Sequence, residues 1–365
     1  MKKVTKILAL LLALAMLFTL AACSKKDDST AKDSDTSSDT PATEEKPEEK
    51  TEEKADEKAD DTAEEPAASE EKDEYTVVMI PKSLDNVVFN DLRDAAIEHG
   101  KELGINVEWN GPTTSDAAEQ VNIIENCIER GVDAIAVSVV DAEAVVDAFK
   151  RAKEAGIIVC CFDSDAAQSE RDFFVGTNNY ELGKLCGEEM VKMLPDGGHV
   201  AIMIATPGMV NIQERADGFT EVVEANNITV DVVLDCNTDT AIAVDKTNQY
   251  CAAHPDLDGF YFTHGLTHYA DAASLAEYVE WGKNGGVSIA VDAVYPMYSF
   301  FQQGMAAFEL VDQDWVEMGN TTIDIIYKMI KGEDPGLPED KIVNTGMTII
   351  DESNWEERFS KLEPW

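Results

Sequence analysis

Residues 156–165, GIIVCCFDSD, decide the fold that the sequence predicts. The apolar run from Ile157 to Phe162 has no polar alternation, which is typical of a strand buried on both faces of a parallel sheet. Asp163 and Asp165 follow where such a strand leaves its sheet, the edge at which open α/β sheets bind ligands. Each carboxylate taken alone is explained equally well by turn capping. We favour a ligand-facing role for Asp163 because several other strands end in comparable polar groups.

From Tyr75 onward, short apolar strands alternate with amphipathic helices. This alternation predicts right-handed crossovers and parallel sheets covered on both faces. Because the series occurs twice, we predict two Rossmann-like, doubly wound lobes joined by a hinge, with a cleft between them. The stretch AAFELVDQDW, 306–315, is expected to cross back to the first lobe ahead of a final helix, 315–331. The predicted strands are 75–80, 105–109, 134–140, 157–162, 173–177, 199–205, 229–236, 259–263 and 288–293.

The predicted domain organisation has four parts. Residues 1–23 form a signal peptide and residues 24–74 a disordered acidic tether. The first lobe comprises 75–177 and 314–342. The second lobe comprises 178–313 and 343–365.

The N-terminal segment has the pattern of a lipoprotein signal. A basic start, MKKVTK, precedes an apolar run over 7–20 that is short for a membrane span. The run ends in LAAC at 20–23, a sequence that resembles a bacterial lipobox, whose cysteine is acylated. A lone cysteine after an ordinary signal peptide is the alternative. We predict that Cys23 is lipidated and anchors the protein to the outer face of the cell membrane.

The charge distribution limits the partners of the chain. Residues 24–74 contain 21 acidic and 8 basic residues and no large apolar side chain, so they cannot bury enough surface to fold. The whole chain carries a formal net charge of −43. Nucleic acid and anionic lipid headgroups would be repelled. The charge does not indicate a cationic ligand, because solubility alone explains such surfaces.

Six cysteines follow Cys23, and no metal or cofactor site is predicted from them. An even number in an exported protein admits disulfides. We favour small buried hydrophobic side chains, because consecutive Cys160 and Cys161 would face opposite sides of a strand and no spacing resembles a metal site. The six are Cys127, Cys160, Cys161, Cys186, Cys236 and Cys251.

The chain lacks the common enzyme signatures, and we predict no enzymatic activity. There is no G-x-S-x-G elbow, no H-E-x-x-H and no G-x-G-x-x-G after the first strand. A repressor-type regulator would need an N-terminal helix-turn-helix where this chain has the signal and tether.

Nine motifs, in this order and spacing, carry a family resemblance over essentially all of 75–365. They are LDNVVF (84–89), RGVDAIAVS (130–138), FDSD (162–165), GTNN (176–179), LPDGGHVAI (194–202), ERADGF (214–219), HPDLDGF (254–260), a strand ending in Asp292, and VDQDWVEMG (311–319). Together they resemble the periplasmic-type sugar-binding proteins of ABC importers, which have the type I fold of ribose-binding protein.

The resemblance implies a set of ligand contacts, and the chemistry of the side chains agrees with it. Sugar hydroxyls both donate and accept, so carboxylates and amide oxygens would accept their protons while arginine and asparagine donate. An aromatic ring would stack on the apolar face of the sugar. The implied contacts are Lys82, Asn86, Phe89, Asp163, Arg215, His264, Asp292 and Gln313.

Three of these contacts have ordinary structural alternatives. Phe89 also suits a core position. Arg215 also suits a surface helix charge, although it lies near a helix start, where a basic side chain opposes the macrodipole. Lys82 is implied by the IPK of 80–82, which resembles the autoinducer-2 and rhamnose binding subgroup, and it also suits a solvated loop.

Departures from the ribose-type pattern indicate that the ligand is not held as ribose is. Ser164 replaces an arginine, Thr238 an aromatic ring and His264 an asparagine. The Asn211-Ile212 pair lacks the acid and amide that the autoinducer-2 receptor has there. The missing ring would come from elsewhere, with Tyr295, Tyr298 and Trp315 as candidates that suit helix packing equally well.

The resemblance implies a monomeric, extracytoplasmic lipoprotein that captures a monosaccharide between its lobes. Closure about the hinge would then present the ligand to an ABC permease. Two alternatives stay open at this stage. The ligand could be autoinducer-2-like or another non-sugar, or the protein could present it to a membrane sensor.

Overall fold

The computed structural model describes residues 74–362. The predicted signal peptide, Cys23, all but the last residue of the predicted tether and the last three residues of the predicted second lobe lie outside this range. Within the described part, no helix has the length and apolarity needed to cross a membrane.

The first sheet has six strands, all parallel to their neighbours. Its order is β11-β5-β4-β3-β1-β2. The central strands are apolar on both faces because helices cover both sides. The strands are β1 (Tyr75–Ile80), β2 (Ile105–Trp109), β3 (Ala134–Val137), β4 (Ile158–Phe162), β5 (Phe173–Gly176) and β11 (Ile342–Asn344).

The second sheet repeats this arrangement, with order β12-β10-β9-β8-β6-β7. Its pairs are parallel except β10 with β12, which are antiparallel. The strands are β6 (Gly198–Ile204), β7 (Ile228–Asp235), β8 (Gly259–Phe262), β9 (Val287–Val291), β10 (Ala307–Gln313) and β12 (Met347–Ile350). The predicted fold class is confirmed: the described chain forms two parallel-dominated α/β sheets.

Ten helices and four 3-10 turns connect the strands of the described chain. Asp116, Asn178, Asp239 and Asp314 each accept a backbone N–H and begin a helix. The helices are α1 (Asn90–Leu103), α2 (Ala117–Arg130), α3 (Val146–Glu154), α4 (Asn179–Met193), α5 (Val210–Ala225), α6 (Thr240–Ala253), α7 (Ala276–Lys283), α8 (Tyr298–Phe301), α9 (Trp315–Ile330) and α10 (Trp355–Phe359). The turns are Val87–Phe89, Leu266–Tyr269, Ala272–Leu275 and Tyr295–Met297.

The chain passes between the two sheets three times. It leaves β5 for α4, returns from β10 to α9, and leaves again between β11 and β12. Helix α9 packs against α1, and Gly319 allows the close approach to the Leu92 carbonyl. We call the first sheet and its helices, including α9, the first lobe, and the second sheet and its helices the second lobe. The exact domain boundaries stay a prediction.

The cysteines are part of the core. All six described cysteines are buried and unpaired. Cys160 and Cys161 belong to different apolar clusters on opposite faces of the first sheet, as their adjacent positions on one strand predict.

Candidate functional site

A cavity of about 80 Å³ lies at the carboxyl ends of the strands, between the two lobes. A single buried water needs far less space, so the cavity has room for a small molecule. All eight ligand contacts implied by the sequence line it, namely Lys82, Asn86, Phe89, Asp163, Arg215, His264, Asp292 and Gln313. The structure therefore brings the eight side chains together, and their contact with a ligand stays a prediction.

Asp163 is held at the end of β4 by two side chains of the first lobe. Lys82 Nζ lies 3.2 Å from Asp163 Oδ2, and Ser138 Oγ donates to the same oxygen at 2.5 Å. Asp163 has a φ of 58°, in the left-handed region that a non-glycine residue adopts at a cost of about 1–3 kcal/mol. This conformation turns the chain at the strand end while keeping the carboxylate at the cavity.

A buried glutamine fixes the strand ends beside this pair. The Gln120 amide donates to the carbonyls of Pro81 at 3.2 Å and Ser138 at 2.9 Å, and it accepts from the Val140 N–H at 3.0 Å. The ends of β1 and β3 are thereby joined, and these ends carry Lys82 and Ser138. Helix α2 thus positions the first-lobe part of the site through one side chain.

Asp292 is the counterpart of Asp163 in the second lobe. It follows β9 and also has a left-handed φ, 73°. Gln313 Nε2 donates to Asp292 Oδ1 at 2.8 Å, which fixes the amide so that Gln313 Oε1 is left as a buried acceptor without a protein partner. Burial raises the pKa of Asp292, although Arg215 and Gln313 oppose this shift.

Arg215 is only 2% exposed, which rules out the surface-charge interpretation. Its Nε donates to Asn179 Oδ1 at 2.8 Å and its Nη1 to the Thr263 carbonyl at 2.9 Å. Helices α4 and α5 cross closely here: a Cβ at Gly183 would lie 2.1 Å from the Arg215 carbonyl oxygen. This glycine contact sets the depth at which Arg215 enters the site.

Phe89 lies in an aromatic wall at the first-lobe side of the cavity. Its ring is edge-on to Trp315, with centroids 5.6 Å apart and planes at 80°. It also contacts Phe162 and Trp109. Phe89 is 3% exposed, so the core and cavity interpretations hold together: one part of the ring packs and another lines the cavity.

Tyr269 connects the two lobes across the cavity, and sequence reasoning missed it. Its hydroxyl donates to Asn86 Oδ1 at 2.7 Å. The same oxygen accepts the Val88 N–H at 3.3 Å and so begins the turn that carries Phe89. Tyr269 lies in a short 3-10 turn after β8, where no motif or periodicity distinguished it.

His264 lines the cavity, but both of its ring nitrogens face protein groups. Nδ1 accepts the Leu266 N–H at 3.1 Å, and Nε2 lies 3.7 Å from Cys236 Sγ. Burial lowers the pKa of His264 to about 4, so the ring is neutral at ordinary pH. This geometry favours a neutral wall residue over a hydrogen-bonding ligand contact.

Three further polar side chains of the wall, which are not among the eight predicted contacts, each have an unpaired atom. Ser115 Oγ, Asn211 Oδ1 and Trp315 Nε1 are buried and have no protein hydrogen-bond partner. Buried polar atoms are nearly always paired, so a ligand or water is expected to satisfy them. Tyr295 and Tyr298, the other ring candidates, do not line the cavity, and Tyr298 packs against Trp355 instead.

Asp165 is not part of the cavity wall. Arg171 binds it with two nitrogens, and the Nη2–Oδ2 distance is 2.6 Å. In the described chain, no group of three or more His, Cys, Asp or Glu side chains is arranged to hold a metal ion.

The comparisons with known proteins agree with this architecture. Residues 77–334 match the family model described as periplasmic binding protein domain. A crystal structure of an ABC transporter solute-binding protein from Burkholderia graminis in complex with D-arabinose superposes with a TM-score of 0.73 at 30% identity, covering 78% of this chain and 98% of that one. A solute-binding protein from Agrobacterium vitis with bound D-fucose gives a TM-score of 0.70 at 25% identity, covering 79% and 100%.

Two curated relatives are likewise named as sugar-binding proteins. The chain is 28% identical over 267 residues to a xylose/arabinose-binding protein of Sulfolobus acidocaldarius, covering 69% of this chain and 65% of the length of that protein. It is 27% identical over 299 residues to a D-ribose/D-allose-binding protein of Pseudomonas aeruginosa, covering 77% and 90%.

Proposed function

This chain belongs to the periplasmic binding protein domain family, and on that premise we propose that it binds one neutral monosaccharide between its lobes and delivers it to an ABC permease. The relatives named for arabinose, xylose, ribose and fucose support a sugar as the ligand. They are named as binding proteins, which supports a non-enzymatic role.

The observation that carries the proposal is the balance of charge around the cavity. Each lobe supplies one cation and one carboxylate: Lys82 with Asp163, and Arg215 with Asp292. The four formal charges sum to zero, so a charged ligand would leave an uncompensated charge in a buried site. Such a site therefore suits a neutral polar ligand.

The hydrogen-bonding groups of the cavity wall suit a ligand that carries several hydroxyls. Carboxylate oxygens and the free Gln313 Oε1 accept, and the guanidinium of Arg215 and the ammonium of Lys82 donate. A hydroxyl does both, so several on one small ring can satisfy the wall at once. The Phe89 wall supplies the apolar contact that a sugar ring face needs.

The proposed mechanism is closure of the lobes over the ligand. The Tyr269–Asn86 hydrogen bond joins the lobes beside the cavity, and the ligand would add contacts to both sides. These contacts favour the closed arrangement by the difference between the closed and open affinities. The permease would receive the closed form.

Extracytoplasmic location and lipid anchoring at Cys23 are part of the proposal. The family supports the location. The anchor rests on the LAAC sequence at 20–23 alone.

The experiment is a thermal-shift and calorimetry screen of the purified protein. D-xylose, both arabinose enantiomers, D-ribose, D-allose and D-fucose represent neutral sugars, D-galacturonate a charged one, and autoinducer-2 the non-sugar alternative. We expect a neutral sugar to raise the melting temperature and galacturonate to have no effect. Galacturonate as the tightest ligand would refute the charge argument, and autoinducer-2 as the tightest would select the alternative.

Variants test the site itself. Asp163→Ala and Asp292→Ala should each abolish binding without preventing folding, because each removes a carboxylate from one lobe. Asp245→Ala, which changes an exposed carboxylate on α6, is the matched control. Wild-type affinity in both site variants would refute the assignment.

A further inference from the structure

Three consecutive residues of β10 hold the turn that carries Asp292. The Val311 carbonyl accepts the Asp292 N–H at 2.9 Å, and Gln313 Nε2 donates to Asp292 Oδ1 at 2.8 Å. Between them, Asp312 Oδ1 accepts the Ala293 N–H at 3.0 Å. The Asp292–Ala293 turn is therefore held at three points by a neighbouring strand: the Asp292 N–H, the Asp292 side chain and the Ala293 N–H.

The side-chain contact of Asp312 is the unusual one of the three. Asp312 is only 5% exposed, and a carboxylate is costly to bury. Burial raises its pKa to about 6. An apolar residue would suffice if the position served only packing, so the carboxylate needs a specific reason.

Arg358 provides the compensating charge from the C-terminal helix α10. Its Nε donates to Asp312 Oδ2 at 2.5 Å, and its Nη2 lies 3.4 Å from Asp91 Oδ2. Asp91 is on α1, two residues after Phe89. The carboxylate of Asp312 thus uses one oxygen for the Asp292 turn and the other for an ion pair that reaches the first lobe.

We propose that Asp312 is a positioning residue for the ligand site, holding the Asp292–Ala293 turn in its ligand-facing conformation, with Arg358 as its support. The expected effect of Asp312 on ligand affinity rests on the proposed function. The turn needs such support because Asp292 has a left-handed φ of 73°, which an unrestrained aspartate would leave. Asp312 supplies that restraint through the next amide.

The test uses calorimetry with the tightest sugar of the panel and hydrogen exchange of the Ala293 amide without ligand. Asp312→Ala should weaken binding about tenfold or more at unchanged stoichiometry, since one buried hydrogen bond is lost. Asp312→Asn keeps an acceptor and should bind with intermediate affinity. Arg358→Gln should also weaken binding, because it leaves Asp312 unpaired. Glu357→Gln, on the exposed side of the same helix, should leave the affinity unchanged.

Hydrogen exchange separates positioning from general stability. In Asp312→Ala, the Ala293 amide should exchange at least about tenfold faster than in the wild type while the amides of β6 keep their protection. Reduced stoichiometry with unchanged affinity would mean a purely structural role and would overturn the proposal, as would unchanged exchange at Ala293. A wild-type protein that binds no member of the panel refutes the proposed function instead, and the Ala293 exchange then still decides whether Asp312 holds the turn.

Discussion

Replacing Gly183 with alanine should push α4 and α5 apart and displace Arg215. The added Cβ would lie 2.1 Å from the Arg215 carbonyl oxygen, whereas ordinary contacts begin at 3.4 Å. A backbone carbonyl within a helix cannot rotate away, so the helices must separate by about 1.3 Å. The helices are equally close at the reciprocal position, where a Cβ added to Gly218 would lie 2.2 Å from the Tyr180 carbonyl oxygen.

Three effects set the expected change in the free energy of unfolding of Gly183→Ala. Overpacking costs about 1–3 kcal/mol. Separation would lengthen the 2.8 Å bond from Arg215 to Asn179, and losing a hydrogen bond to a charged group costs about 1.5–3 kcal/mol. The better helix propensity of alanine stabilises the folded protein by about 1 kcal/mol relative to glycine. We therefore expect a net destabilisation of about 2–5 kcal/mol, with weaker ligand binding because Arg215 moves.

Urea denaturation measures the stability, and calorimetry measures the affinity of the remaining folded protein. Gly187→Ala is the matched control on the same helix, because its Cβ would lie 2.8 Å from Val222 Cβ and 3.1 Å from the Phe219 carbonyl oxygen, a smaller overlap than the 2.1 Å approach at Gly183. Gly187→Ala should destabilise the protein clearly less than Gly183→Ala does. A Gly183→Ala protein that is as stable as the wild type and binds equally well would refute the close helix crossing and its role in placing Arg215.

Three further predictions concern Tyr269, Glu309 and Cys23. Tyr269→Phe should weaken ligand affinity about fivefold with little change in the melting temperature, because it removes the hydrogen bond to Asn86 between lobes; calorimetry would detect this. Burial raises the pKa of Glu309 from the ordinary value of 4.5 to about 7, so the fold loses stability as the pH rises from 4.5 to 7, where the unfolded chain is ionised and the folded one still holds the proton. Glu309→Gln should therefore be about 1–2 kcal/mol more stable than the wild type at pH 8 and equal to it at pH 4 in urea titrations, and equal stability at both would contradict this. Cys23→Ser should release the protein from the membrane fraction, and retention would contradict the anchor.

Much of the fold was predictable because the central strands are continuous apolar runs. β1, β2 and β4 lie within one residue of their predicted limits, since helices on both sheet faces require such runs. β3 is shorter than predicted and ends at Val137, where the chain turns toward the cavity. β11 and β12 were not predicted, because each has three or four residues, is partly exposed and forms only by pairing with a distant strand.

The membership of the cavity was predictable from strand ends, but its internal contacts were not. Residue type and position identified Asp163 and Asp292, while their left-handed backbone has no sequence signature for an aspartate. The contacts of His264 with the Leu266 N–H and the Cys236 sulfur depend on the loop after β8, so the sequence did not reveal them, and its ligand contact stays a prediction. Tyr269 and Asp312 act through tertiary contacts that only the folded chain creates.

The late placement of β11 and β12 has a consequence for how the molecule is made. The first sheet includes Ile342–Asn344 and the second includes Met347–Ile350, so neither sheet is complete until synthesis has passed these residues. Pairings this distant in sequence slow folding, because a long loop must close first. Synthesis that stops before residue 342 would leave each sheet one strand short, with β5 and β10 as edge strands, so that neither lobe would be complete.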